Sequence, residues 1–492
     1  MFESAEVGNS IDKEVFKSEV PRLREALLAA QTRLAGSDMR AVVLISGSEG
    51  AGKTAVLNRL LAWLDARGVR THAVRKATDE ETNRPFAWRF WRELPPAGHM
   101  GMFLGSWYTK PLTKTVLKGR SIQRFDQDLT RIIDFERMLS AEGTIVIKLW
   151  LHLSRAAQKK RFKEIESDPA QSWRVTRRDW KLLGLYDQAM DVVEHLVRRT
   201  STGEAPWHII EGGDPHYRDL TVGRIVQKTL DDRLNQRAAE PPRPAPAPVR
   251  IEPPGVNIIG QLDQTQALGE KDYEKKLAKL QGELAELARE LYNQKQSMVL
   301  VFEGSDAAGK GGAIRRLTEA MDARDYAHIS VAAPTDEERA HPYLWRFWRQ
   351  IPYRGRVTLF DRSWYGRVLV ERVEGFATPP EWQRAYSEIN QFEEQLTDFG
   401  IIVLKFWLAI TPEEQLERFK SRQKTPYKQY KITDDDWRNR DRWDSYIAAA
   451  CEMIEKTNTQ SAPWILVESN NKEWARIKVV STVVSHLKNL LN

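Results

Sequence analysis

One cysteine in 492 residues, Cys451, excludes an intramolecular disulfide framework and points to a reducing compartment. It lies in the apolar stretch IAAACEMI (447–454) and reads as a small core side chain rather than a nucleophile. No apolar run approaches the ~20 residues that a membrane-spanning helix needs. The opening residues, MFESAEVGNSIDKEVF, lack a basic region followed by an apolar run, so no secretory signal is expected. These absences predict a soluble, cytoplasmic protein with no membrane partner. No zinc-like Cys/His spacing and no Ser–His–Asp arrangement is evident, which sets aside zinc hydrolysis and acyl transfer. A large excess of one charge is also missing: a net +7 on this length suits acidic ligands without calling for nucleic acid.

What the chain does have is itself, twice. Residues 77–95, ATDEETNRPFAWRFWRELP, and 334–352, PTDEERAHPYLWRFWRQIP, share eleven of nineteen positions at an offset of 257. The same offset aligns GSEGAGK (47–53) with GSDAAGK (304–310), SWY with SWY, KLWL with KFWL, and APW with APW. Such regularity marks a gene duplication whose products keep one fold. Between the copies lies AAEPPRPAPAPVRIEPPG (238–255), with seven prolines, which reads as a semi-rigid extended linker. The expected organisation is a first domain over 1–237, a linker over 238–256 and a second domain over 257–492.

In each copy a short apolar run (41–46, 297–303) precedes the glycine-rich stretch and a helical pattern follows it, as in 54–68 with Gly68 as its stop. Further apolar runs at 357–361, 401–409 and 463–468 alternate with helix-like segments, and a helical extension precedes each copy (about 13–38 and 270–293). That alternation predicts two tandem doubly wound α/β domains with parallel sheets, binding ligands at the carboxyl ends of their strands.

Gly47–x4–Gly52–Lys53–Thr54 fits the phosphate-binding loop pattern in full. Glycines let backbone N–H groups turn toward an anion, the helix adds its positive end, and the lysine adds a point charge. The second copy, Gly304–x4–Gly309–Lys310–Gly311, has no hydroxyl at its last position, and Asp306 inside the loop is the substitute candidate for holding Mg²⁺. At the end of the next apolar run Asp361 and Arg362 follow VTLF, where a carboxylate is the usual metal partner of such a loop. The first copy has Leu104 and Gly105 there, and Lys114 and Thr115 opposite Glu371 and Arg372. The first site is therefore expected to be degenerate. Residues 418–431, RFKSRQKTPYKQYK, carry six Lys/Arg and no acid, the composition of a lid that closes over a polyanion. For Arg346 and Arg349 in the WRFWR block, core packing and phosphate contact both stay open, whereas Trp345 and Trp348 read as core.

The second copy, with FEGSDAAGKGG (302–312), TDEE…HPYLWRFWRQIP (335–352), FDRSWYGRVLVERVEGF (360–376) and RWDSYIAAACEMIEKT (442–457), resembles the polyphosphate kinase 2 family over nearly all of 270–490. The first copy resembles it more faintly. The resemblance implies P-loop kinase-like domains with helical lids that move phosphate between inorganic polyphosphate and a nucleotide with Mg²⁺. It further implies that Lys310 and the loop at Gly304, Ala308, Gly309 and Gly311 hold phosphate, and that Asp306 and Asp361 position metal. Arg362 and Arg372 would neutralise charge, Arg418 and Arg422 would grip the moving phosphoryl, and Lys405, Lys428 and Lys431 would line the polyphosphate track. Two-domain members are associated with converting AMP to ADP. An ATP-dependent small-molecule or nucleotide kinase, action on nucleoside diphosphates, and a non-catalytic polyphosphate-binding role are the alternatives. Whether copies of the chain assemble into a homo-oligomer stays open.

Overall fold

The computed structural model describes residues 1–241, 243–252 and 255–491, apart from the side chains of Lys428 and Lys431. They form two compact units. The first comprises Met1–Lys76, Arg89–Pro242 and Thr335–Trp345; the second comprises Ala77–Trp88, Arg243–Pro334 and Arg346–Asn492. Within the first, the Ala340 carbonyl accepts from Arg40 Nη2 at 2.9 Å and from the Ala97 amide at 2.7 Å. Within the second, Arg84 lies over the Trp88 ring, 4.4 Å from its centroid, and donates to the Ile351 carbonyl at 3.1 Å.

Each unit is built on a five-stranded, all-parallel sheet. The first contains β1 (Arg40–Gly47), β2 (Val69–Ala73), β3 (Met100–Leu104), β4 (Thr144–His152) and β5 (Trp207–Glu211) in the order β2-β3-β1-β4-β5. The second contains β6 (Ser297–Gly304), β7 (Tyr326–Ser330), β8 (Val357–Asp361), β9 (Ile401–Ala409) and β10 (Trp464–Glu468) in the same order, β7-β8-β6-β9-β10. The helical extensions are Lys13–Ala35 and Glu270–Asn293, and each packs against the last helix of its unit, Pro215–Ala239 or Lys472–Leu491. The central strands are covered on both faces: Met298 to Phe302 of β6 are fully buried, as are Ala41 to Ile45 of β1. Each such aliphatic side chain contributes about 1.5–3 kcal/mol, which makes the middle of each sheet its most stable part.

Two expectations change. The helix after the first glycine-rich loop spans Lys53–Trp63, five residues short of Gly68. Leu64 leaves the helix in extended conformation and a separate short turn, Ala66–Gly68, leads into β2. The edge strands β2 and β7 have no counterpart among the apolar runs because their residues, VRTHA and YAHIS, are only partly covered. The linker residues of the second unit are also engaged: the Val249 amide donates to the Val373 carbonyl at 2.9 Å, and Arg243 pairs with Glu381 at 2.6 Å.

Candidate functional site

In the second unit the glycine-rich loop leaves the end of β6 and enters the helix Lys310–Thr318. The tight exit needs glycine. Gly304 has φ +142°, and a Cβ there would sit 2.3 Å from the Leu408 carbonyl oxygen on β9. Gly309 has φ +109°, which aims the start of the helix at the loop's interior. Lys310 folds back so that Nζ donates to the carbonyls of Gly304 at 2.7 Å and Ser305 at 3.3 Å, holding its charge over the loop.

The next strand end supplies the partners. Arg362, just past β8, donates from Nη2 to Asp306 Oδ1 at 2.8 Å, and Asn439 donates to Asp306 Oδ2 at 2.9 Å. Burial raises the Asp306 pKa, but the charges of Lys310 and Arg362 and these hydrogen bonds outweigh it and leave the carboxyl below its usual range. Asp361 sits across from the start of the helix: a Cβ on Gly311 would lie 3.8 Å from Asp361 Oδ2. Asp306, Lys310, Asp361, Arg362 and Arg422 all line one open cavity of about 790 Å³, which also reaches Arg315, Arg316 and Arg476. The structure thus gathers into one place loop, carboxylates and arginines that the sequence spreads over more than a hundred positions.

Strain marks the same place. Ala307 and Arg362 are non-glycine residues at φ 64° and 62°. The aligned residues of the first copy, Gly50 and Gly105, keep the same hand of backbone at φ 82° and 77°, where glycine holds it freely. The second copy bears a cost of about 1–2 kcal/mol at each position to carry a methyl and a guanidinium there.

Other expected residues fall elsewhere. Lys405 is not on a phosphate track: it is fully buried, and Nζ donates to Glu393 at 2.7 Å, Tyr365 at 2.9 Å and the Thr457 carbonyl at 2.7 Å. Three acceptors satisfy its three donors, so none remains for a ligand. Lys148 of the first copy repeats the arrangement with Glu136, Tyr108 and the Thr200 carbonyl. Arg372 is buried, paired with Glu452 at 2.8 Å, bonded to Tyr386 at 2.9 Å and stacked 3.9 Å over Trp382; it is not on the cavity wall. Arg418 lies under the loop, donating to the carbonyls of Ala307, Ala308, Ser469 and Asn470, and it acts by holding the loop's shape. Lys428 and Lys431 lie outside the described side chains. In the WRFWR block Trp348 packs edge-on against Phe392, as core, and Arg346 donates to the Ala332 carbonyl.

In the first unit the loop of Gly47, Gly52, Lys53 and Thr54 keeps its backbone course but not its charge. Lys53 Nζ is paired with Glu49 at 2.9 Å as well as with the Gly47 carbonyl. Arg218 from the last helix, rather than the aligned Arg161, reaches the loop carbonyl of Ala51, and it is neutralised by Asp219 at 2.8 Å.

Sequence reasoning passed over Glu303, Gln415, Asn439, Lys472 and Arg476. Glu303 is buried at the end of β6 and accepts from Ser363 at 2.8 Å, and burial raises its pKa against the pull of Lys310 and Arg362. Gln415 donates to the backbone carbonyl of Asp306 at 3.1 Å. Lys472 and Arg476 line a second cavity of about 220 Å³ with Arg418 and Arg422, and it adjoins the larger one along Ala307, Ala308, Gly309, Arg422 and Arg476. The offset of 257 would have exposed four of the five: Glu303, Asn439, Lys472 and Arg476 align with Ser46, Leu182, Pro215 and Asp219.

Known proteins resemble this chain over nearly its whole length. The profile of the family described as Polyphosphate kinase 2 (PPK2) matches residues 10–238 and 267–491. A "Polyphosphate:AMP phosphotransferase" from Pseudomonas aeruginosa is 50% identical over 486 residues, 98% of each chain. A protein of the same description from Pseudomonas syringae is 47% identical over 484 residues, 98% of this chain and 97% of its own. A crystal structure described as polyphosphate kinase 2 from Pseudomonas aeruginosa superposes with a TM-score of 0.88 at 47% identity, over 99% of both chains.

Proposed function

The chain belongs to the polyphosphate kinase 2 family, and from that membership we propose that its second copy transfers the terminal phosphoryl group of inorganic polyphosphate to AMP. The observation that carries this reading is the meeting of Asp306, Lys310, Asp361, Arg362 and Arg422 around one cavity in the second copy. In the first, Leu104, Gly105 and Ile165 replace Asp361, Arg362 and Arg422.

The glycine-rich stretch of the second copy acts as a phosphate-binding loop of the Walker A type. Transfer breaks the terminal P–O–P bond of the donor and forms a new one to an AMP phosphate oxygen, giving ADP and a chain shorter by one phosphate. Phosphoryl transfer asks the protein for alignment and charge rather than covalent work. Lys310 and the loop amides hold the phosphate at the transfer point. Arg362 and Arg422 face the charge that builds on the equatorial oxygens, while Arg418 keeps the loop carbonyls turned away from it. The donor's tail runs past Arg422, Lys472 and Arg476, a wall without a carboxylate among the residues lining the smaller cavity.

The donor set fits Mg²⁺, a hard cation commonly held by one or two carboxylates together with substrate phosphates. Asp361 opens onto the cavity and Asp306 borders it, and both offer oxygen alone. When bound, the ion supplies neutralisation of the phosphate oxygens.

The test is ADP formation from AMP with long-chain polyphosphate and Mg²⁺, against ATP as alternative donor, for the intact chain and Asp361→Asn. ADP from polyphosphate, lost at least a hundredfold in the variant, supports the reading. Turnover with ATP alone overturns it.

A further inference from the structure

In the second copy the helix Asp434–Asp441, which follows the basic segment 418–431 expected to act as a lid and is called the lid helix with it, is tied by a short polar chain. At one end is Asp306 in the phosphate-binding loop, which accepts from Asn439 Nδ2 at 2.9 Å. At the other is Glu374, a carboxylate only 5% exposed. Glu374 Oε2 pairs with Arg442 and with Arg438 Nε at 3.2 Å. Between them stands Tyr446, whose hydroxyl lies 3.2 Å from Glu374 Oε1 and 3.0 Å from Asn439 Oδ1 and donates its single proton to either. Behind Glu374, the amide of Val249 in the linker holds the carbonyl of Val373.

The first copy is an internal control for what this chain of contacts does. At the offset of 257, Glu374, Asn439, Arg442 and Tyr446 become Leu117, Leu182, Leu185 and Ala189. Four polar groups become apolar together, in the copy that has also lost Asp361 and Arg362. The buried Lys405–Glu393–Tyr365 network, by contrast, survives in both copies as Lys148–Glu136–Tyr108. The buried network is thus common to both copies, whereas the contacts of Glu374 occur only in the copy that keeps Asp361 and Arg362.

We propose that Glu374 is a positioning residue: with Tyr446 and Asn439 it latches the lid helix to Asp306, so that the lid shuts water out while phosphate moves. The proposal rests on the phosphotransferase reading. A latched lid makes AMP the only acceptor within reach, because a closed site excludes the competing hydroxyl of water. Glu374 itself touches no substrate.

The experiment compares the intact chain with Glu374→Leu, Glu374→Asp, Tyr446→Phe and Asn439→Leu, the leucines reproducing the first copy. Two quantities are read: the ratio of free phosphate released to ADP formed, and the rate of tryptic cleavage in the segment 420–433 without substrate. The expected result for Glu374→Leu and Asn439→Leu is a kcat at least tenfold lower, a phosphate-to-ADP ratio at least fivefold higher, and faster cleavage. Glu374→Asp recovers part of each. Should Glu374→Leu fail to fold, Asn439→Leu, whose side chain is only part-buried, carries the test. Unchanged cleavage and an unchanged ratio in Asn439→Leu overturn the latch. An intact chain that makes no ADP from polyphosphate overturns the functional reading instead, and cleavage still reports on the latch.

Discussion

Replacing Lys405 by Met separates a structural lysine from a substrate-binding one. The ammonium is fully buried at the centre of β9, and burial pushes its pKa down while it pushes that of Glu393 up; mutual attraction at 2.7 Å holds the pair against that. Removing the cation leaves Glu393 with donors only from Trp364 and Tyr365, and leaves the Thr457 carbonyl without Nζ. Breaking one side of such a pair costs about 3–5 kcal/mol. For a unit of this size that corresponds to about 6–20 °C in melting midpoint. Adding Glu393→Gln removes the stranded charge, so the double variant is expected to melt above the single one. Lys148→Met should behave alike in the first unit. Calorimetry of the full chain gives the midpoints, and steady-state assays give the KM for polyphosphate, expected to stay within twofold in whatever protein remains folded. A midpoint shift below 2 °C with a tenfold rise in that KM would refute the reasoning and put the ammonium back on the phosphate track.

Lys310→Ala is expected to lower ADP formation at least a hundredfold, since it removes the charge over the transfer point, whereas Lys53→Ala, already paired with Glu49, should stay within threefold; equal losses would show that the first loop works. Burial lowers the pKa of His208, His341 and His486 from 6.5, so the unfolded chain binds more protons than the folded one below that pH. Stability is then complete above pH 6.5 and is lost as pH falls below it, and His208→Gln should flatten that slope in denaturant titrations between pH 7 and 5. Gly105→Ala places a Cβ at φ +77°, 3.2 Å from Thr109 Oγ1, and should cost the first unit about 1–2 kcal/mol, read as a lower midpoint with ADP formation unchanged at 25 °C.

Much of the fold is written in local pattern. Five of the ten strands, β1, β6, β8, β9 and β10, follow the apolar runs the sequence shows at 41–46, 297–303, 357–361, 401–409 and 463–468. The glycines of the loop announce backbone angles that other residues resist. The duplication, the loop, and the loss of Asp361 and Arg362 from the first copy were all legible because each is a statement about residue type at a position. What the sequence could not carry is direction and company. Lys405 and Arg422 are both cations near basic or aromatic neighbours, yet one points into the sheet's underside and the other into the cavity. Lys405 lies on β9, which sends alternate side chains to opposite faces, and only the packed helices decide which face is dry, whereas Arg422 lies on the helix Pro412–Lys424 and its side chain reaches the cavity. Likewise Arg418 belongs by sequence to a basic lid and by structure to the loop's support. Glu374, Asn439 and Tyr446, up to 72 positions apart, become one chain of contacts only when the lid helix settles on the strand ends. Residue chemistry determined what this protein can bind; tertiary packing decided which charges are left free to bind it, because burial satisfies some donors internally and leaves others facing the cavity.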